Sequence, residues 1–352
     1  MKKRVLGLII LLVVMLVGGG YALFQSQRKP EQKIGGLLGG EKIGLYENDA
    51  FQKHIKKEYG LTMDYRKAGS FAMVQGPTDG YDYLFPSSQL ALELFQSQNK
   101  KFKEQDLVFN TPIVLYTRKP IVEVLKQQKI VREEEGIHYV DMKALAKFIE
   151  KDVQWKDIGL PDLYGSVLVD TTDPNESNSG NMFLGLLANS LNNGEVVTRD
   201  RVGKLLPTIK SIYRHIGHMQ SSSADMFNQF MKQGLGAYPI IAGYESQILE
   251  FSKQQKENYD MIKEELVVLY PSPTVWSSHV YIALTEKGRL GLKALKDKDT
   301  QTLAWKDHGF RTIISGTADP KEFSVPGIPK EIRRVMPMPS IDVMTTLMKE
   351  IR

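Results

Sequence analysis

The stretch from residue 169 to residue 181, VDTTDPNESNSGN, holds the densest group of side chains that could bind a ligand. It follows a predicted strand and leads into an apolar helix predicted over residues 180 to 191. Small hydroxyl and amide groups therefore lie where a helix exposes its first unpaired N–H groups, and those donors favour acceptor atoms of a ligand. An ordinary N-cap with a polar approach loop uses the same residue types. As ligand contacts here we predict Thr171, Thr172, Ser177, Ser179 and Asn181.

The same arrangement recurs at three other places in the chain. Small hydroxyl residues stand before or at the start of a predicted helix at Gly69-Ser70, Ser87-Ser88 and Ser221-Ser222-Ser223. Ligands of open α/β sheets bind outside the carboxyl ends of the strands, where loops enter helices. Several such loops could face one cleft, in which neutral hydrogen bonds and helix N-termini would hold the ligand. From these loops we predict contacts by Ser70, Ser87 and Ser88.

Acidic residues near these loops argue against a simple oxyanion site. Asp170 and Asp173 place negative charge beside the first loop, which is compatible with a hydrogen-bonding acid or a zwitterionic ligand. Tyr244 and Glu245 lie at a predicted return of the chain between two lobes, and we predict both as contacts. Glu245 could bind an amine or a protonated oxyanion, or it could be a solvated first-turn acid favoured by the helix dipole.

Two short motifs suggest catalysis. Residues 97 to 100 match S-x-x-K and residues 179 to 181 match S-x-N, as in serine acyl-enzymes of the penicillin-recognising class. The K-T-G element of that class is missing, and the residues after Lys100 are strongly polar. The HIGH tetrapeptide at 215 to 218 lacks the companion lysine loop of adenylate-forming synthetases. We therefore predict a protein that is not an enzyme, and an envelope serine acyl-enzyme is the alternative.

Cofactor and metal sites find little support in the sequence. The six histidines are dispersed, and only His215 and His218 have helix-face spacing. There are no cysteines, which removes thiolate metal sites, disulfides and a lipid-modified N-terminal cysteine. Glycine-rich nucleotide loops are absent. We predict no cofactor and no metal.

The loops need a framework in which strands and helices alternate, which is typical of an α/β fold. We predict strands at residues 42–46, 61–65, 81–85, 106–116, 167–170, 237–242 and 266–270, in a mostly parallel sheet. We predict helices at residues 50–59, 87–96, 142–151, 180–191, 199–213, 223–233, 245–256 and 340–352.

This alternation predicts two lobes joined by two crossings of the chain. The crossings are predicted near residues 111 to 117 and 238 to 243, and two extended crossings make a hinge. Lobe 1 would hold residues 41–115 and 240–330, and lobe 2 would hold residues 116–239. Residues 331–352 would form a C-terminal helical tail.

The N-terminus predicts export. Lys2, Lys3 and Arg4 precede an uncharged run to Phe24, which fits a signal peptide or a transmembrane anchor, residues 1–24, with the remainder outside the cytoplasm. Residues 25–40 are glycine-rich and predict a flexible linker. The protein would be a single-pass protein of the cell membrane, or secreted if the leader is cleaved.

Composition narrows the function further. The chain has 352 residues, 42% of them hydrophobic and 25% charged, which is typical of a globular protein. The first 33 residues account for the net charge of +5, because they contain six cationic residues and one acidic residue, Glu31. The remainder of the chain is therefore near neutral. A nucleic-acid-binding face needs clustered Lys and Arg, so we predict no nucleic acid partner.

The order of several motifs resembles bacterial extracellular solute-binding proteins of the type II periplasmic-binding fold, which serve ABC transporters. The resemblance covers about residues 41 to 311. It rests on Gly69-Ser70, YDYLFPSS from residue 81, NTPIV from residue 110, TTDP from residue 171 with SNSGN from residue 177, and YPIIAGYE from residue 238.

The resemblance implies two lobes that close on a small polar solute or oxyanion, held by Ser, Thr and Gly at helix starts. An ABC-type permease or another membrane protein would be the partner. The chain lacks the cysteine that anchors lipoprotein members of the family. A sensor, or a membrane-tethered scaffold with a vestigial cleft, would have the same sequence features.

Overall fold

One long strand, β4 (Glu104–Arg118), joins the two halves of a mixed ten-stranded sheet. The computed structural model describes residues 30–313 and 318–351. The first half of the sheet contains β2 (Leu61–Lys67), β1 (Gln32–Leu38), β3 (Tyr83–Phe85), β9 (Trp276–Ala283) and the first part of β4, with β10 (Arg311–Thr312) also paired to β4. The second half contains the end of β4 with β7 (Ile241–Tyr244), β8 (Leu266–Pro271), β6 (Ile137–Val140) and β5 (Val131–Glu134).

Strand directions in this sheet are mixed, so the prediction of a mostly parallel sheet is wrong. Only β1 with β2, β1 with β3, and β6 with β8 run parallel, and the other ladders are antiparallel. The hinge is the physical reason, because β4 pairs with strands of both halves that return in the opposite direction. Apolar periodicity predicts a strand but does not encode its direction.

Residues 32–38 form the second strand of the first half, so the prediction of a flexible linker over 25–40 is wrong for this part. Ile34 and Leu38 are buried in β1, between β2 and β3. Glycine in this strand serves close packing, because a Cβ on Gly36 would lie 2.6 Å from ring carbons of Tyr83. The predicted leader, residues 1–24, lies outside the described residues. None of the described helices combines the length and low charge that crossing a bilayer requires.

Fourteen α-helices surround the sheet in the described part of the chain. They are α1 (Ile43–Glu47), α2 (Asp49–Tyr59), α3 (Ser70–Gln75), α4 (Gln89–Ser97), α5 (Lys119–Gln127), α6 (Met142–Glu150), α7 (Asn178–Leu191), α8 (Arg199–Ile216), α9 (Ser223–Gln233), α10 (Glu245–Gln254), α11 (Lys256–Ile262), α12 (Glu286–Leu295), α13 (Lys298–His308) and α14 (Ile341–Glu350). All eight predicted helices are confirmed within a few residues. The predicted strand over 42–46 is instead a 3₁₀ turn (Gly40–Lys42) followed by α1.

The chain passes between the two halves of the sheet more often than predicted. After β7 it enters α10, which packs against α13 beside the first half, and β8 then rejoins the second half. The final return lies at residues 272–275, between β8 and β9. Lobe 1 was predicted to include 240–330, and this is wrong for β7 and β8, because their backbone groups pair with the second part of β4. Residues 167–170 are extended but make only an isolated bridge at Asp170.

The first lobe therefore comprises the first half of the sheet with α1 to α4, α12 and α13. The second comprises the second half with α5 to α9 and the C-terminal α14, which packs against α8 and α7. One apolar cluster fills the second lobe and also takes in Phe71 and Leu90 of the first lobe, and another fills the first lobe. A third lies at the crossing and includes Tyr116, Phe227 and Trp305. This arrangement leaves a cleft where helix starts of both lobes meet.

Candidate functional site

A narrow polar cleft lies between the two lobes. Its volume is about 60 Å³, which is the share of roughly two water molecules in liquid water. Lys67 of the first lobe donates from Nζ to Ser222 Oγ across it, at 3.2 Å, and a Cβ on Gly69 would overlap the carbonyl oxygen of Glu176. The lobes are thus closed on each other. The lining residues are Gly39, Gly40, Glu41, Lys67, Ala68, Gly69, Ser70, Glu176, Ser177, Asn178, Ser221, Ser222, Ser223 and Tyr244.

Four helices have their N-cap residue at this cleft: Tyr244 begins α10, and in the other three helices no side chain of the N-cap residue binds an amide of the helix. The N-cap residues are Gly69 for α3, Ser177 for α7 and Ser222 for α9. By contrast, α2, α6, α12 and α13 lie elsewhere and have Asn, Asp or Thr side chains bound to their first amides. The N-cap side chains of six other helices, α1, α4, α5, α8, α11 and α14, also bind no amide of their helix. Ser177 is thus the N-cap residue of α7 by position, but its hydroxyl does not bind the first amides of the helix.

The loop before α7 is held together by its own hydroxyl groups. Ser179 Oγ lies 2.7 Å from Thr172 Oγ1 and 3.1 Å from Ser177 Oγ. A Cβ on Gly180 would overlap the carbonyl oxygen of Thr172, so the loop lies directly on the helix start. Thr171 is fully buried, and within the described chain its Oγ1 has no hydrogen-bond partner. Of this loop, only Ser177 among the predicted contacts lines the cleft.

A buried ion pair forms the floor of the cleft on the first lobe. Lys42 is fully buried, and its Nζ contacts a carboxylate oxygen of Glu41, donates to Ser87 Oγ at 2.6 Å and lies 3.2 Å from His279 Nδ1. Ser87 Oγ donates to the same oxygen of Glu41. The ammonium also lies 4.8 Å from the centre of the Phe85 ring, a favourable cation–π position.

The charges of this cluster follow from burial and pairing. Burial alone would raise the pKa of Glu41, but the charge of Lys42 and the hydrogen bonds of Lys42 and Ser87 outweigh it and lower that pKa to about 2. Burial, and then the charge of Lys42, lower the pKa of His279 well below its ordinary value, so the imidazole is neutral at pH 7. The floor therefore carries one cation, one anion and a neutral ring.

Asn178, the first residue of α7, ties this floor to the second lobe. Its Nδ2 donates to the carbonyl oxygen of Ser87 at 2.8 Å and to Tyr244 Oη at 3.0 Å. Ser277 Oγ donates to the same carbonyl at 2.7 Å. Asn178 is buried, and in the described part of the chain its Oδ1 has no donor. An acceptor at the cleft is thus left for a ligand group.

The structure brings together five of the ten predicted contacts. Ser70, Ser177 and Tyr244 line the cleft, and Ser87 and Ser88 are buried directly behind it, where Ser87 N donates to Ser70 Oγ at 2.9 Å. Five further residues at or behind the cleft were not predicted from the sequence: Glu41, Lys42, Asn178, Ser277 and His279. Lys42 was predicted to lie in a strand. The only local signal of its role in the site is its position beside Glu41, after two glycines.

Two predicted contacts lie away from the cleft. Glu245 does not line the cleft; its buried carboxylate accepts from Arg311 Nε at 2.7 Å, Arg311 Nη2 at 2.9 Å and Tyr270 Oη at 2.6 Å. Its neighbour Tyr244 faces the cleft, and successive residues at a helix start point in different directions. Asn181 faces the C-terminal helix, where its Nδ2 contacts Met348 Sδ at 2.9 Å. Glu245 thus ties α10 to β10 of the first half of the sheet, and Asn181 ties α7 to α14 within the second lobe.

The S-x-x-K dyad does not form. Ser97 Oγ donates to the carbonyl of Leu94 in its own helix, and Lys100 Nζ binds the carbonyl oxygens of Val74 and Gly76. The acyl-enzyme alternative therefore loses its nucleophile and base. One set of three possible metal ligands occurs among the described residues, at His54, Asp297 and Asp299. Asp297 already caps α13, whose positive end opposes a cation there.

Comparisons with solved structures match nearly the whole chain. The periplasmic thiamin binding protein superposes with a TM-score of 0.62 at 10% identity, over 92% of this chain and 96% of that one. The substrate binding protein of the ABC transporter from Agrobacterium tumefaciens gives 0.59 at 12% identity, over 93% and 96%. The sulfate-binding protein from Mycobacterium tuberculosis H37Rv gives 0.54 at 14% identity, over 90% and 96%.

No protein-family model matches the sequence, and no curated protein matches it. The structural likenesses show that the described chain has the two-lobed fold of type II periplasmic and extracellular solute-binding proteins. The fold implied by the sequence resemblance is therefore confirmed.

Proposed function

We propose that this protein binds a small polar solute in the cleft between its lobes, outside the cytoplasm, without chemical conversion of the solute. The observation that supports this most directly is the meeting of uncapped helix starts from both lobes at one cleft. Their first amides offer donors that no side chain of the N-cap residue uses, and Asn178 Oδ1 adds an acceptor. A solute with both acceptor and donor atoms would satisfy these groups.

The closed arrangement indicates how binding would work. The contacts across the cleft include two polar bonds, that of Lys67 to Ser222 and that of Asn178 to the carbonyl oxygen of Ser87. A solute that contacts both lobes would favour the closed state by its differential affinity. The neighbours in fold are named for thiamin and sulfate, and these are natural first candidates.

Location and partner belong to the same proposal. The predicted N-terminal leader would place the two lobes outside the membrane, tethered or secreted, where a permease or a sensor could use the closed state. A protease-accessibility test on intact cells, with a tag at the C-terminus, would check the location. Protection of the tag in intact cells would contradict it.

Thermal unfolding of the purified chain tests solute binding. A panel of sulfate, phosphate, thiamin, amino acids and sugars is added at fixed ionic strength. A true solute raises the unfolding temperature, because at a hundred times its Kd it adds about 2.7 kcal/mol to the free energy of unfolding. Ser70→Ala and Ser177→Ala should each weaken the hit, and Ser97→Ala, an exposed serine outside the cleft, should not.

Two results would contradict the proposal. The first is a panel, widened to other small polar compounds, in which nothing stabilises the chain; that would favour the scaffold alternative. The second is a hit that keeps its full affinity in Ser70→Ala and Ser177→Ala, because binding would then lie outside the cleft.

A further inference from the structure

The carboxylate of Glu41 has the surroundings of a bound anionic ligand. It is held by the ammonium of Lys42 and the hydroxyl of Ser87, both on the same oxygen, Oε1. The side chain is 7% exposed and lines the cleft, opposite the uncapped starts of α7 and α9. Ammonium and hydroxyl donors beside free helix amides are the groups that proteins use to hold anionic oxygens.

Little room exists beside this carboxylate. The enclosed space in the cleft is about 60 Å³, and the buried ammonium of Lys42 already contacts Glu41, so a solute group that binds this ammonium has to replace a present partner. Lys42 cannot move away cheaply, because its buried ammonium would lose Ser87 and His279 as partners. Glu41 is the group that can leave, since its side chain borders the cleft.

Two glycines precede Glu41 and fit the present position of its side chain. A Cβ on Gly39 would lie 2.5 Å from Glu41 Oε1, 2.9 Å from Oε2 and 2.9 Å from Lys42 Nζ. Any side chain at position 39 would therefore push the carboxylate off the ammonium. Glycine at position 39 allows the Glu41 carboxylate to lie against Lys42 and Ser87, and we call the place that it occupies there the seat.

Charge determines which solute can take this seat. With Glu41 in place the floor of the cleft has no net charge, and an anion would meet a carboxylate at contact distance. With Glu41 displaced the floor is a buried cation without a counter-charge, which a solute anion would neutralise. Cationic solutes would favour the opposite state.

We propose that Glu41 is an internal competitor that occupies the place of the anionic group of the solute on Lys42 and Ser87. The solute is then one that carries a carboxylate, sulfate or phosphate group, and binding displaces the Glu41 side chain. This rests on the proposed function and adds the solute class and the residue that sets its affinity.

Isothermal titration calorimetry on the full chain, with inorganic phosphate and sulfate as probes at constant ionic strength, tests the proposal. Glu41→Gln keeps the shape of the side chain but removes the competing charge, so at least one probe should bind roughly 10- to 100-fold more tightly than to the wild type. Lys42→Met should abolish that gain. The matched control is Glu176→Gln, an exposed acid that lines the same cleft without touching Lys42, and we expect a change below about three-fold.

A second variant covers the case in which Glu41→Gln does not fold. Glu41→Ala removes the carboxylate altogether, and it should tighten the same probe in the same direction.

The outcomes separate this inference from the proposed function. Equal or weaker binding of both probes to Glu41→Gln and Glu41→Ala overturns the inference, and so does an equal gain in Glu176→Gln. A neutral or cationic solute that binds the wild type and is lost in Glu41→Gln overturns the inference alone and leaves solute binding standing. Absence of any binding, to the wild type and to all variants, overturns both.

Discussion

The buried ion pair of Glu245 and Arg311 gives the sharpest test of what the structure adds to the sequence. Glu245→Gln leaves the guanidinium of Arg311 buried beside a neutral amide. Removing one partner of a buried pair costs about 3–5 kcal/mol of unfolding free energy. With an unfolding entropy of about 2.1 cal/mol/K per residue over 352 residues, that cost lowers Tm by roughly 4–7 °C.

Differential scanning calorimetry measures this change, with Glu322→Gln as the matched control. Glu322 pairs with Lys306 at 3.4 Å on the surface, and exposed pairs contribute at most about 1 kcal/mol, so its Tm should fall by less than about 2 °C. Solute affinity should be unchanged in Glu245→Gln, because the pair lies outside the cleft. A Tm within 1 °C of the wild type, or lost affinity with an unchanged Tm, would refute this reasoning and restore Glu245 as a solute contact.

Three further predictions concern the first lobe, the cleft and pH. Gly36→Ala should lower the unfolding free energy by about 1–3 kcal/mol, since its Cβ overlaps a neighbouring strand, whereas Gly35→Ala, with open space around it, should change it little in urea unfolding. Gly69→Ala should hold the lobes apart, weaken solute binding about ten-fold and enlarge the radius of gyration in X-ray scattering, while Gly203→Ala, with open space on α8, should do neither. Burial raises the pKa of Asp170 to about 6, so the folded state binds more protons than the unfolded state between about pH 4 and 6. The free energy of unfolding therefore falls by about 2–3 kcal/mol as pH rises through that window. Asp170→Asn should raise Tm at pH 7.5 and leave it unchanged at pH 4.

The helices were predictable because apolar periodicity and capping residues are local signals. Residues 223–233 were predicted as a helix at the bounds that the structure shows. Strand β1 was not predicted, because glycines in a sequence suggest flexibility. In the sheet they allow close packing against Tyr83, which is distant in sequence. Strand direction had no local signal either.

The kind of site was predictable from the sequence, but only some of its residues were. Hydroxyl residues at helix starts marked the cleft, and Ser70, Ser177 and Tyr244 line it. Lys42 was missed because its burial depends on His279, which is 237 residues away in the chain. Glu245 was predicted at the cleft because no local pattern in the sequence indicates its partner, Arg311, which is 66 residues away in the chain.

The path of the chain at the hinge has a consequence for how the protein can be divided. Each lobe is assembled from separate segments: β1 to β3 are completed by β9 and β10, and α7 and α8 of the second lobe are covered by α14 from the far end of the chain. Residues 113–275 expressed alone would leave the apolar face under Met344 and Leu347 exposed. Neither lobe is therefore a module that a gene fusion or a proteolytic cut could release intact, and the two should unfold together in a single transition.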